Sequence, residues 1–127
     1  MVVEDDKHIN ELLAYNLRKE DFNVTQVYDG FDAQKILVED SFDIVLLDLM
    51  LPGIDGFKLC KQIKNKASSM ITYVIIISAK TDFDDKLYAS ILGAERYITK
   101  PFSIVHLLTI IKELDGFVHQ RCAVSQK

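Results

Sequence analysis

The chain of 127 residues has no tryptophan, two prolines and two cysteines. Cys60 and Cys122 lie far apart, which excludes a disulfide-framed fold and fits free thiols in a reducing cytoplasm. Neither stands at ligand spacing from His8, His106 or His119, so a zinc centre is excluded as well. No apolar run reaches membrane-spanning length and no signal peptide is visible, so no membrane partner is expected. Basic residues are outnumbered: 15 Lys and Arg face 19 Asp and Glu, for a formal charge of -4. Without a basic stripe, direct binding of nucleic acid is not expected. Repeats and low-complexity segments are missing too, and the length suits one domain.

What is present is an apolar content of 49%, arranged in two alternating periods. The stretch Asp43-Ile44-Val45-Leu46-Leu47-Asp48-Leu49-Met50-Leu51-Pro52-Gly53-Ile54-Asp55-Gly56 organises the rest. Ile44 to Leu47 read as a strand buried on both faces, and turn signals follow at Pro52-Gly53 and Asp55-Gly56. Four further runs read as strands: Val2-Val3, Asn23 to Tyr28, Thr72 to Ile77 and Arg96 to Thr99. Helical stripes lie between them. The first carries Ile9, Leu12, Leu13 and Leu17 with Asp6 as N-cap, and the second carries Ala33, Ile36 and Leu37. A third carries Phe57, Cys60 and Ile63 and should fade near Ala67-Ser68-Ser69. The fourth carries Phe83, Leu87 and Ile91 and stops at Gly93. A last helix from Ser103 carries Ile104, Leu107, Leu108, Ile111 and Leu114, with Gly116 at its end. The expected domain is 1–116, with 117–127 a tail or linker remnant. Strands alternating with helices demand an α/β fold, a parallel sheet covered on both faces.

Ligands of open parallel sheets bind beyond the carboxyl ends of the strands. Those ends offer Glu4 and Asp5, Asp48, Ser78 and Lys100. Asp48 alone reads equally as a turn cap or as a functional carboxylate that needs a partner. Grouped carboxylates repel, and a hard divalent cation relieves that repulsion. An all-oxygen donor set favours magnesium or a relative such as manganese. Cation, ammonium and hydroxyl around one carboxylate suit a phosphoryl group, and a carboxylate can be the nucleophile that receives it. Asp48 would attack, the metal and Lys100 would offset charge, and Ser78 would grip the product.

The pieces Val2-Val3-Glu4-Asp5-Asp6, Ile44 to Gly56, Ile75-Ile76-Ile77-Ser78-Ala79-Lys80 and Gly93 to Phe102 follow one another in a familiar order. Together they resemble the receiver domain of two-component response regulators, in wording close to the branch that usually precedes a winged-helix DNA-binding domain. The resemblance implies a flavodoxin-like (βα)5 sheet of strand order 2-1-3-4-5. It implies that Asp48 accepts phosphate from a sensor histidine kinase, with Ser78 and Lys100 contacting the phosphoryl oxygens. Magnesium would be held by Asp5, Asp48 and the Met50 carbonyl, with Glu4 acting through water. Lys100-Pro101 would be cis, and Ser78 and Tyr97 would form the switch. The face of the fourth helix, fifth strand and last helix would then control output, through a homodimer or a C-terminal DNA-binding domain. Beyond that self-catalysed transfer and slow autodephosphorylation, no enzyme activity is expected.

Some positions depart from that branch. Glu95-Arg96 stands where it commonly has two aspartates, and His106 and Ile110 stand where it often has an acid and an arginine. The charge pairs that link its active dimer are therefore incomplete here. Ile110 and Phe117 flank the last helix's stripe, either as added partner surface or through deeper burial. The family usually has several residues before the position of Val2, so at Met1 either early residues are missing or the first strand is short. The alternative function is a phosphorylation-independent pseudo-receiver acting as an interaction module, but such proteins lose Asp, Ser/Thr or Lys from a set that this chain keeps. A flavodoxin-type cofactor protein would need a phosphate loop where Glu4-Asp5-Asp6 would repel phosphate.

Overall fold

The β-branched runs form strands and the helical stripes form helices, in alternation along the chain. The computed structural model describes residues 1–66 and 71–125, with side chains as far as His119 in the last helix. The described elements are β1 (Val2–Val3), α1 (Lys7–Lys19), β2 (Gln26–Val27), α2 (Gly30–Glu39), β3 (Ile44–Asp48), α3 (Gly56–Asn65), β4 (Tyr73–Ser78), α4 (Phe83–Ile91), β5 (Arg96–Thr99) and α5 (Ile104–Ser125). All strand pairs are parallel, in the order β2-β1-β3-β4-β5.

Alternation along the strands builds two cores. Val45, Leu47, Val74 and Ile76 pack with Leu37 of α2, Leu59, Cys60 and Ile63 of α3 and Ala89 of α4. Leu46, Ile75 and Ile77 face the other way, onto Leu13 and Leu17 of α1 and Leu107, Ile111 and Leu114 of α5. β3 and β4 are covered on both faces, which is why they read as unbroken apolar runs. Aspartates start four helices, and three of them cap through the side chain. Asp6 accepts from the His8 and Ile9 amides, Asp29 from that of Asp32 and Asp55 from that of Phe57. Gly93, at φ +102°, closes α4 in the left-handed region.

Four elements differ from the sequence reading. β2 is only Gln26–Val27, because the two-residue β1 offers it no longer ladder. In α1 the buried face is Asn10, Leu13, Ala14 and Leu17, one step round from the expected stripe, so Leu12 is exposed. In α4 the stripe Phe83, Leu87, Ile91 points to solvent, at 75%, 47% and 70% exposure. The helix docks through the small side of Ala89, and apolar spacing alone does not say which face is covered. α5 runs through Gly116 to Ser125, because Val118 continues the buried row of Leu107, Ile111 and Leu114 past the glycine. The 116/117 boundary thus falls inside a helix. Ile110 packs against the second core, whereas Phe117 is exposed. The expected fading at Ala67-Ser68-Ser69 lies outside the described residues, as does the side chain of Cys122, while Cys60 is a buried free thiol.

Candidate functional site: an acidic pocket at the strand ends

β1 and β3 are neighbours whose following chains diverge, to α1 on one face of the sheet and to α3 on the other. A crevice therefore opens at their carboxyl ends. Glu4 leaves β1 and Asp48 ends β3, and both are buried, while Asp5 beside them is exposed. One carboxylate oxygen from each of the three lies within 4.8 Å of the others. Lys100, directly after β5, reaches into the group. Its Nζ donates to Glu4 Oε1 at 2.6 Å and to Asp48 Oδ2 at 3.0 Å. The other Asp48 oxygen, Oδ1, accepts from the Met50 amide at 3.0 Å. The Met50 side chain is exposed.

These contacts shift both ends of the pair. Burial pushes the Glu4 carboxyl up; Lys100 pulls it down and Asp48 adds to the rise, leaving it at about 7. Burial acts against the Lys100 ammonium, but its bonds to Glu4 and Asp48 outweigh that and hold it above its ordinary value. The donor set fits a hard divalent cation. It is all oxygen, has three converging carboxylates, and places a carboxyl that resists ionisation where positive charge would relieve it.

Ser78 ends β4 fully buried, and its Oγ accepts from the Lys80 amide at 3.1 Å. The Tyr97 hydroxyl, from β5, donates to the Lys80 carbonyl at 3.0 Å. One residue of the β4–α4 loop thus anchors both side chains of the expected switch. The Tyr97 ring packs at the edge of the first core, with Lys86 Nζ 5.9 Å from its centroid. Lys100–Pro101 is cis.

The loop after Asp48 is shaped by glycines. A Cβ on Gly56 would fall 2.5 Å from Leu49 Cα and 2.9 Å from the Asp48 carbonyl oxygen, so α3 starts against the backbone that follows the site. A cavity of about 580 Å³ opens at the opposite end of the sheet beside Phe22, Phe42 and Ile44, away from these groups. Sequence reasoning missed one residue near the site: Asn10, buried in α1 behind Glu4. The sequence carried no signal for it, because the expected stripe of Ile9, Leu12, Leu13 and Leu17 leaves position 10 off the buried face.

A doubly wound parallel sheet with a lysine-bridged acidic pocket at its switch point defines a class of phosphoryl-handling signalling domains. The family model for the response regulator receiver domain matches residues 1–112, and the chain belongs to that family. Among solved structures it is similar to the receiver domain of the Francisella response regulator 1452, at 29% identity and a TM-score of 0.84, covering 92% of this chain and 95% of that one. It is similar to the BeF3-activated receiver domain of Klebsiella pneumoniae RstA, at 29% identity and a TM-score of 0.78, covering 87% and 92%. It also matches DrrB, a Thermotoga maritima OmpR/PhoB homolog, at 32% identity and a TM-score of 0.80, covering 94% of this chain and 52% of that one. Receiver domains switch on phosphorylation, bind Mg2+ at an acidic pocket and work with histidine kinases. No described helix is long and apolar enough to cross a membrane.

Proposed function

We propose that Asp48 is the phosphoacceptor of a two-component signalling switch and takes its phosphoryl group from a sensor histidine kinase. The observation that carries this reading is the Lys100 ammonium shared between Glu4 and Asp48, with Asp5 alongside. Asp5, Asp48 and the Met50 carbonyl would hold Mg2+ or Mn2+, with Glu4 acting through water. When bound, the ion offsets negative charge on the phosphoryl oxygens. An Asp48 oxygen attacks phosphorus as the bond to the donor's imidazole nitrogen breaks. The imidazole keeps that electron pair and takes up a proton. Lys100 exchanges a carboxylate partner for a phosphoryl oxygen, and the Met50 amide keeps Asp48 oriented. Apart from this transfer and slow hydrolysis of its product, the domain is not an enzyme.

Ser78 would give up the Lys80 amide for the new phosphoryl group. That frees the loop on which Tyr97 is anchored, lets the ring turn inward and changes the α4–β5–α5 face. The likeness to an OmpR/PhoB homolog supports transcription as the output. A C-terminal DNA-binding domain or a homodimer on this face would carry it, in the cytoplasm. Incubation with a small acyl-phosphate donor and Mg2+, read by intact mass, should add one phosphoryl group to the parent and none after EDTA. Equal labelling of Asp48→Asn would overturn the assignment.

A further inference from the structure

We infer that Asn10 is a positioning residue for the acidic pocket, fixing the peptide plane that carries Glu4 and Asp5. The inference rests on the proposed cation-binding role of that pocket. Among the described residues four polar side chains are buried: Glu4, Asp48, Ser78 and Asn10. The first three belong to the pocket. Asn10, at 0% exposure, lies on the sheet-facing side of α1, where its neighbours Leu13, Ala14 and Leu17 are apolar. A buried carboxamide in such a row is costly unless its hydrogen bonds are made, and here they are.

The two Nδ2 hydrogens go to the Glu4 carbonyl at 3.0 Å and the Val27 carbonyl at 2.9 Å, and Oδ1 accepts from Gln26 Nε2 at 3.0 Å. The amide cannot be turned over, because its oxygen would then face two carbonyls. Arg18 holds Gln26 from outside, with Nη1 at 3.0 Å from Gln26 Oε1, so the carboxamide is itself braced.

The register pairs of β1 end at Val3. Beyond them the Glu4 amide still bonds to the Val27 carbonyl at 3.0 Å, and the Glu4 carbonyl turns to Asn10. That carbonyl belongs to the planar unit joining the Glu4 and Asp5 Cα atoms. Anchoring it sets the direction in which both side chains leave the backbone. These are two of the three carboxylates that converge within 4.8 Å. Without the Asn10 donor the plane can rock, and a small rotation separates oxygens that must share one ion.

Asn10→Ala should therefore weaken Mg2+ binding, read by titration calorimetry at neutral pH, by about tenfold or more, as loss of a group orienting metal ligands does. Leu17→Ala is the control. It opens a cavity on the same helix face, lowers the melting temperature and touches no ligand, so it should leave Mg2+ affinity within about twofold of the parent. Should Asn10→Ala fail to fold, Asn10→Ser is titrated in its place. Parent-like affinity in the folded Asn10 variant, or equal weakening by Leu17→Ala, overturns the positioning role while leaving the pocket's reading intact. No Mg2+ binding by the parent itself would sink both.

Discussion

Glu4 carries a carboxyl whose folded and unfolded behaviour diverge. Unfolded, it ionises near its ordinary value of 4.5; folded, burial holds it at about 7. Between those values the folded state binds more protons, so this group's contribution to stability falls as pH rises from about 4.5 through 7. Bound Mg2+ favours the carboxylate and displaces the proton. Mg2+ affinity should thus climb from about pH 6 to pH 8, with proton release at the lower end, and Glu4→Gln should flatten that profile. Calorimetry in buffers of different ionisation enthalpy checks both, and a pH-independent parent would contradict the burial argument. Glu4, Asp5, Asp48, Ser78 and Lys100 were legible in the sequence because strand ends of a parallel sheet share one edge. The resemblance added Met50 and Tyr97. Asn10 was not legible, since a polar residue in a helix reads as surface until the helix's rotation is known.

At the scale of elements, two glycines should behave oppositely. Gly56 begins α3 against Leu49, and a methyl there meets backbone at 2.5 and 2.8 Å. Gly56→Ala should cost about 2 kcal/mol or more, seen as a lowered urea midpoint, and should weaken Mg2+ binding by moving the loop after Asp48. Gly116 lies within α5, and a Cβ added there would meet nothing within 4 Å. Gly116→Ala should stabilise by about 0.5–1 kcal/mol, seen as a raised melting temperature. A destabilised Gly116→Ala would mean that α5 ends there, as a glycine in sequence suggests. Helix rotation was the illegible part at this scale. Phe83, Leu87 and Ile91 have core spacing yet face solvent, because α4 approaches the sheet through Ala89, its one buried residue. Strands were read better, since β3 and β4 are buried on both faces and rotation about their axes changes nothing.

The whole molecule brings the pocket and the α4–β5–α5 face into contact through Lys80, which bonds Ser78 on one side and Tyr97 on the other. Beryllofluoride with Mg2+ should therefore shift amide resonances in the β4–α4 loop, α4 and Tyr97, and leave those of Gln34 to Val38 on α2 nearly unchanged. Uniform shifts, or shifts confined to the pocket, would contradict coupling through that loop. Exposed charges on α5 are spent inside the chain: Glu113 pairs with Arg96 at 2.8 Å and Lys112 with Glu20 at 3.1 Å. Such surface pairs contribute little to stability, each on the order of 0–1 kcal/mol. The overall architecture was legible because alternating strand and helix periods admit few topologies, whereas strand order came from the family resemblance alone.

The central claim, that a carboxylate at the end of β3 receives the phosphoryl group, is tested most directly by trapping. The chain is treated with an acyl-phosphate donor and Mg2+, reduced with borohydride and digested for peptide mass mapping. Reduction of an aspartyl phosphate leaves homoserine, and homoserine is predicted at position 48 and nowhere else. Homoserine at another aspartate, or none in a chain that has taken up phosphate, would contradict the account.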